Sequence, residues 1–345
     1  MAAFFGETRV LRRTERSTAQ DEYSIDDSGP GYDPSAESVV RVARRGKPGR
    51  VEPVFVTGER PQPGRPLREE YARMLTSHPQ FARTAVNLLW SEMFGVGIVD
   101  PPLEFDLDRL DPADPPSEPW ALQPTHPELL EELAQYFRDH DHSFKSILRL
   151  IARSSAYQLS SSFPGEWDAA YAPYYARRFA RRLKAEEVYD SIVGATNLFV
   201  EIPIPGTDRR VRHAHDVYAP DDFRGNDLKE LHFFLEAFGQ TNREYSERSN
   251  EGEITQAVLL MNSPFVLGRV KAAEGSYLAG LLADEDLDDD TRITRLYQRF
   301  LIRNPTEAEL AGARSVVAGN MATPSAGWED LQWLLLNTVE FVHNY

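Results

Sequence analysis

The chain contains no cysteine. That one absence removes disulfides, thiolate metal sites, cysteine nucleophiles and c-type haem attachment within these residues. It says little about compartment, because it fits the cytosol and equally an export route that avoids mispaired thiols. No apolar run approaches the ~18 residues that would suggest a membrane span. The opening MAAFFGETRV places Glu7 where a signal peptide needs its apolar core to continue, and no cleavage signal follows. A Ser-His-Asp order, a Gly-rich phosphate loop and an HExxH helix are missing as well. So is any internal repeat of roughly 20–50 residues.

Positive charge is scarce: 38 Lys+Arg stand against 54 Asp+Glu, a formal net charge of −16. Residues 1–66 carry 11 basic and 10 acidic residues, so the remainder stands at −17. Such a surface repels phosphate backbones, and no nucleic-acid partner is expected. The one basic run, Arg41-Val-Ala-Arg44-Arg45-Gly-Lys47, lies in VVRVARRGKPGRVEPVFV with Gly-Lys-Pro-Gly at its turn, and reads as a solvated ribbon. What is present is ordinary for a globular protein. The 345 residues are 41% apolar and 27% charged, enough for one large domain or two small ones.

Four stretches organise the chain. Residues 1–36 are polar and read as flexible or irregular. Residues 37–66 read as a short β-ribbon followed by a Pro-rich connector. From Leu67 to Tyr345 the pattern is helical almost throughout, with two lobes expected to meet near 160–175. It is interrupted by a loop with five prolines between Pro112 and Pro124 and by a possible strand pair within 199–218. The expected fold is mainly α: an irregular helical domain with a small N-terminal β-ribbon and a minor β element near 199–218. End chemistry and period mark individual helices. Thr125-His-Pro-Glu128 reads as a capping box opening a helix, and an αα-hairpin turns at Asp139–Ser143. Ile254, Ala257, Val258 and Met261 form an i, i+3, i+4, i+7 stripe, as do Ile293, Leu296, Tyr297 and Phe300. Thr306-Glu-Ala-Glu309 opens a capped helix, and Trp328–Tyr345 reads as the last one.

Several polar groups carry candidate chemistry, each with a structural counterpart. His213, His215 and Asp216 offer two imidazoles and a carboxylate to a metal, but without a fourth placed ligand they read as solvated loop residues, and no metal is expected. His140 reads as a partner of a helix C-terminus. The run Asp284–Asp290 lacks the Gly and Glu of a calcium loop and reads as helix capping and solvation. Arg243, Glu247 and Arg248 either grip an anionic or carbohydrate ligand or lock a loop against the helices. Arg248 is expected to be drawn inward, paired with Glu247 or Glu186. Arg182 and Glu186 pose the same choice at i, i+4 spacing. Asn87 and Trp90, three apart on one helix, either bind a sugar by stacking and an amide bond or belong to the core.

Eight segments in order carry a family resemblance. They begin with Arg83-x-x-x-Asn87-x-x-Trp90, then Phe94-Gly95-x-Gly97-Ile98-Val99. Thr125-His126-Pro127-Glu128-Leu129-Leu130 and Ile151-x-x-Ser154-x-x-Tyr157 follow. Next are Arg181-Arg182-Leu183-x-Ala185-Glu186, and Glu247-Arg248-Ser249 with Gln256-Ala257 and Asn262. Arg303-Asn304-Pro305-Thr306-x-x-Glu309 and Leu336-Asn337-Thr338-x-Glu340-Phe341 close the set. Together they resemble the planctomycete surface domain family, a domain of unknown function, over roughly residues 66–345. Two departures are Tyr189, where relatives more often carry arginine, and the lack of cysteines in the loop before Glu247.

The resemblance implies the C-terminal part of a longer exported protein, truncated or split, and therefore an extracytoplasmic location (periplasm or cell surface). Its expected company is an upstream related domain or a cytochrome-c-like domain. Any haem would sit on that upstream domain, and no cofactor is expected in this chain. Two functional classes follow. The first is a non-catalytic binding or scaffold module in an extracytoplasmic redox-associated assembly, taking a surface glycan or a protein as partner. The second is a hydrolase acting on cell-surface polysaccharide, with Glu247 and Glu186 as acid and base. The lack of a recognisable catalytic constellation favours the first.

Overall fold

The computed structural model describes residues 1–14, 21–35, 49–204, 207–217, 228–240 and 254–345. The chain divides into two compact units, Met1–Phe179 and Ala180–Tyr345. Helices dominate, and the few short strands form three two-stranded ribbons among the described residues. The fold is mainly α.

The first unit opens with an antiparallel ribbon, β1 (Arg9–Thr14) and β2 (Asp21–Asp26), in register Arg9↔Asp26. This ribbon lies in the stretch read as irregular. The described part of the expected ribbon, residues 49–66, carries no strand, and residues 36–48 lie outside the described residues. Helix α1 (Leu67–Ser77) packs Met74 and Tyr71 against Phe4 and Phe55. Helix α2 (Pro79–Phe94) starts with proline in its first turn and ends where Gly95, at φ 83°, turns its N–H back to the Ser91 carbonyl at 2.8 Å. Ala82, Val86, Trp90 and Phe94, four residues apart, form its buried edge.

Against that edge lie α3 (Pro127–Asp139), through Leu130, Leu133, Ala134 and Phe137, and α4 (Phe144–Ala152), through Ile147 and Ile151. The hairpin between them turns at Asp141 and His142, both with positive φ. His140 caps α3 as expected, its Nδ1 donating to the Tyr136 carbonyl at 2.8 Å. The expected capping box is absent. His126 is the N-cap and makes no side-chain cap, because the Thr125 hydroxyl donates to the Ile98 carbonyl at 3.2 Å. A long-range bond has taken the group that the local motif would use.

The second unit is built around α5 (Ala185–Thr196), preceded by β3 (Arg181–Arg182). A minor ribbon follows, β4 (Ile202–Pro203) with β5 (Arg210–Val211), inside the 199–218 interval. Next come α6 (Lys229–Ala237), α7 (Ile254–Asn262), α8 (Pro264–Arg269) and α9 (Tyr277–Ala283). Then follow α10 (Asp289–Leu301), α11 (Glu307–Gly319) and α12 (Ala326–Leu336).

Asp288 caps α10 through the Thr291 N–H at 2.9 Å, and Ile293, Leu296, Tyr297 and Phe300 are buried as their spacing requires. The Thr306/Glu309 capping box on α11 is formed. Gly327 lets α12 cross α11, since a Cβ there would stand 2.0 Å from the Val317 carbonyl oxygen. The last segment is not one helix. After α12 the chain makes a 3-10 turn, Glu340–Val342, and then β6 (His343–Asn344), which pairs with β3. Asn337 and Thr338 bond back to Trp333 and Leu335 and close the helix early.

Helix α7 forms where its apolar stripe predicts a helix, but the stripe is not its buried face. The stripe Ile254, Ala257, Val258 and Met261 faces outward, while Gln256 and Leu260 are buried. This helix is apolar on almost every side, so its period leaves the buried face undecided.

Candidate functional site

Helix α5 carries three carboxylates, Glu186, Glu187 and Asp190, each with a different kind of partner. Glu187 accepts the Lys184 N–H at 2.7 Å and so fixes the helix start. Arg181 grips both of its oxygens at 2.9 Å. Burial opposes the Glu187 charge, but the Arg181 guanidinium wins and holds the carboxyl below its usual range. Glu186 is 6% exposed and accepts from the Gln240 Nε2 at 3.0 Å. Arg182 donates to the Gln256 side-chain oxygen, joining β3 to α7. Gln240 and Gln256 are both buried. Glu186 and Gln240 thus form a buried polar pair, and Arg182 with Gln256 a partly buried one. Arg243, Glu247 and Arg248 lie outside the described residues.

Gln240 has no motif that would single it out. What turns it inward is Gly239, at φ 87°, which reverses the chain after α6 so that the Gln240 N–H bonds the Leu235 carbonyl at 3.0 Å.

One turn beyond Glu186, Asp190 organises the His213–Asp216 segment. Its carboxylate accepts the Ala214 N–H at 2.6 Å, the His215 N–H at 3.3 Å and the His215 Nδ1 at 2.7 Å. That bond sets the neutral imidazole with its proton on Nδ1 and its lone pair on Nε2. His213 lies 3.7 Å from Asp216, beyond hydrogen-bond reach, with its ring edge-on to Phe199. The two histidines thus face different carboxylates. No group of three or more His, Asp or Glu stands ready for a metal among the described residues.

Beside Asp190 opens a cleft of about 650 Å³, lined by Ser191, Arg299, Arg303, Glu340 and His343 among others. Its two arginines are committed elsewhere. Arg299 closes the C-terminal end of α5, bonding the Gly194 carbonyl and the Ala195 carbonyl (3.2 Å). Arg303 lies between two carboxylates, reaching Glu309 at 2.7 and 2.8 Å and Glu340 at 2.6 and 2.8 Å. The Arg303 hydrogen bonds, against a burial penalty, bring Glu309 down to about 2. They also hold Glu340 below the ordinary carboxylate range.

The remaining candidates are in the first unit. Asn87 is fully buried. Its Nδ2 donates to the carbonyls of Val99 (2.8 Å) and Pro102 (3.0 Å), and its Oδ1 accepts the Val99 N–H at 3.0 Å. Gly97 is required beside it, because a Cβ there would meet the Val99 oxygen at 2.2 Å. Trp90 stacks on Phe94 at 4.3 Å with Tyr175 edge-on at 5.2 Å, leaving 4% of the residue exposed. A residue that the sequence did not single out joins this unit. Arg178, 2% exposed, donates to the Met93 carbonyl at 2.5 Å and the Tyr157 hydroxyl at 3.0 Å, with its guanidinium 3.8 Å above the Tyr157 ring. Two adjacent arginines in YYARRF were the only available signal, since one of them had to be drawn inward by so many aromatic neighbours.

Comparison with known proteins adds one match. The family model described as PSD1, protein of unknown function (DUF1553), matches residues 67–317. No curated protein and no solved structure matches.

Proposed function

From the premise that this chain belongs to the PSD1 (DUF1553) family, we propose that it is a non-catalytic binding or scaffold module. One observation carries the reading: the polar residues of these sequence motifs that lie among the described residues are spent on joining segments of the chain to one another. Asn87 secures the turn at Val99. Tyr157 takes Arg178, Arg181 takes Glu187, and Arg182 takes Gln256. Arg303 unites the Glu309 and Glu340 motifs, and Asn337 reaches the α7 carbonyl of Leu260. Catalysis asks for polar groups left poised toward a substrate, whereas these are committed to packing. The company the family keeps supports placing the module in an extracytoplasmic assembly with a cytochrome-c-like partner.

A second reading has one observation of its own. Glu186 and, one turn later, Asp190 with its oriented imidazole supply the carboxylate and base of a hydrolase acting on surface polysaccharide.

Two measurements decide between them. The purified chain is incubated with cell-surface polysaccharide and new reducing ends are counted. In source cells, a tagged chain is fractionated and cross-linked, and its adducts are stained for haem. The binding reading expects no reducing ends, together with an extracytoplasmic, haem-bearing adduct. Reducing ends that vanish in Glu186→Gln would establish the hydrolase instead, and a chain confined to the cytoplasm would remove the assembly.

A further inference from the structure

The outward stripe of α7 is unusual because the helix is held firmly in that orientation. Trp333 Nε1 donates to the Met261 carbonyl at 3.0 Å, Asn337 Nδ2 donates to the Leu260 carbonyl at 3.3 Å, and Arg182 bonds Gln256. These bonds fix the rotation of α7 with Gln256 and Leu260 inward. Ile254 (85% exposed), Val258 (49%) and Met261 (43%) are left in solvent. Leaving such apolar surface open while a glutamine is buried sacrifices hydrophobic stabilisation, and surfaces of that kind mark interaction sites.

The stripe runs into a groove of about 400 Å³, with Leu260, Met261, Val339 and Val342 as its apolar lining. Val339 is 75% exposed. At its polar edge stand Arg182 and His343, paired directly across the β3–β6 ribbon and therefore on one face of it. Arg182 has no carboxylate partner among the described residues; its guanidinium donates to the Gln256 side-chain oxygen. His343 donates its Nδ1 proton to the Val339 carbonyl at 2.7 Å and lines the groove.

The geometry points to this groove and stripe as the docking site for a partner protein's amphipathic helix, with apolar residues at i, i+3, i+4, i+7 and carboxylates flanking them. The inference rests on the binding-module reading and deepens it. An apolar floor extended along about two turns of α7 suits a helix better than a small ligand. The Arg182 guanidinium at this edge selects acidic flanks by charge complementarity. The contact is small, so affinity falls in the weak, roughly micromolar class.

The test uses two fluorescent helical peptides with leucine at those four positions, one flanked by glutamates and one by lysines, titrated into the full chain by anisotropy. The glutamate peptide is expected to bind at least tenfold tighter, with the margin shrinking as salt rises. Arg182→Glu should invert the preference, and Val258→Asp should weaken both peptides at least tenfold. Because Arg182 also holds Gln256, Val339→Asp serves as a second, fully surface-borne disruption if Arg182→Glu unfolds. Equal binding of the two peptides, or none, overturns the proposal. So does a wild-type dimer in sedimentation that Val258→Asp dissolves, since a second copy would then be the occupant. If the peptides fail while the haem-bearing adduct persists, the groove is wrong and the binding module stands.

Discussion

Replacing Asn87 by alanine should be among the most damaging single changes in the first unit, and its cost can be worked from three bonds. The side chain is fully buried and serves the Val99 N–H, the Val99 carbonyl and the Pro102 carbonyl. Each neutral bond contributes about 1 kcal/mol net, and a buried N–H left without a partner costs about 1–3 kcal/mol more. Val99 is itself fully buried, so water does not take over. The expected loss is about 4–6 kcal/mol, or roughly 8–24 °C in the melting of a unit this size. Asn87→Asp separates the two roles of the amide. It keeps an acceptor for the Val99 N–H but turns a second oxygen on two carbonyls, so at neutral pH it should be at least as damaging as alanine. Hydrogen exchange over residues 96–102 localises the effect, with the Val99 amide losing its protection in Asn87→Ala. If Asn87→Ala melts within about 1 °C of wild type, keeps that protection and loses affinity for a sugar, the residue is a ligand group and this reasoning fails.

Three further outcomes follow from single contacts. Gly327→Ala should destabilise the second unit by at least about 1–3 kcal/mol, because the colliding atom is the Val317 backbone and cannot step aside; an unchanged urea midpoint would show that the α11–α12 crossing is looser than described. Thr306→Ala should cost about 0.5–2 kcal/mol through its capping box, whereas Thr125→Ala removes a bond to Ile98 and an exposed one with His126 Nδ1 and should cost about 1 kcal/mol or less; the reverse order in chemical denaturation would contradict the assigned caps. Glu309 and Glu340 have carboxyls depressed in the folded state, so the stability they supply is complete above the unfolded value of about 4.3 and is lost as pH falls below it, for Glu309 on the way to about 2. Arg303→Gln should flatten the urea-midpoint profile across that window, and a profile parallel to wild type would mean the Arg303 joint contributes nothing.

Local chemistry was legible in the sequence wherever a helix begins with its own cap. Thr306-x-x-Glu309 and the acidic run ending at Asp290 set the starts of α11 and α10, and the Ile293–Phe300 period named the face that α10 buries. These depend on residues three or four apart, whose geometry is fixed as soon as the helix forms. The mainly helical fold and the small ribbon within 199–218 were also readable, and the family resemblance was carried by the ordered motifs. What the sequence could not assign was partnership across long separations. Thr125 was diverted from its capping box by Ile98, and Asp190 met His215 across 25 residues. Arg303 met Glu340 across 37 residues, and Arg182 met Gln256 across 74. On α7 the sequence offered apolar residues on nearly every side, and only the bonds from Trp333, Asn337 and Arg182 decided which of them would face water. A cap is decided within one helical turn, while a buried face or a polar joint is decided by which distant segment the chain topology brings against it.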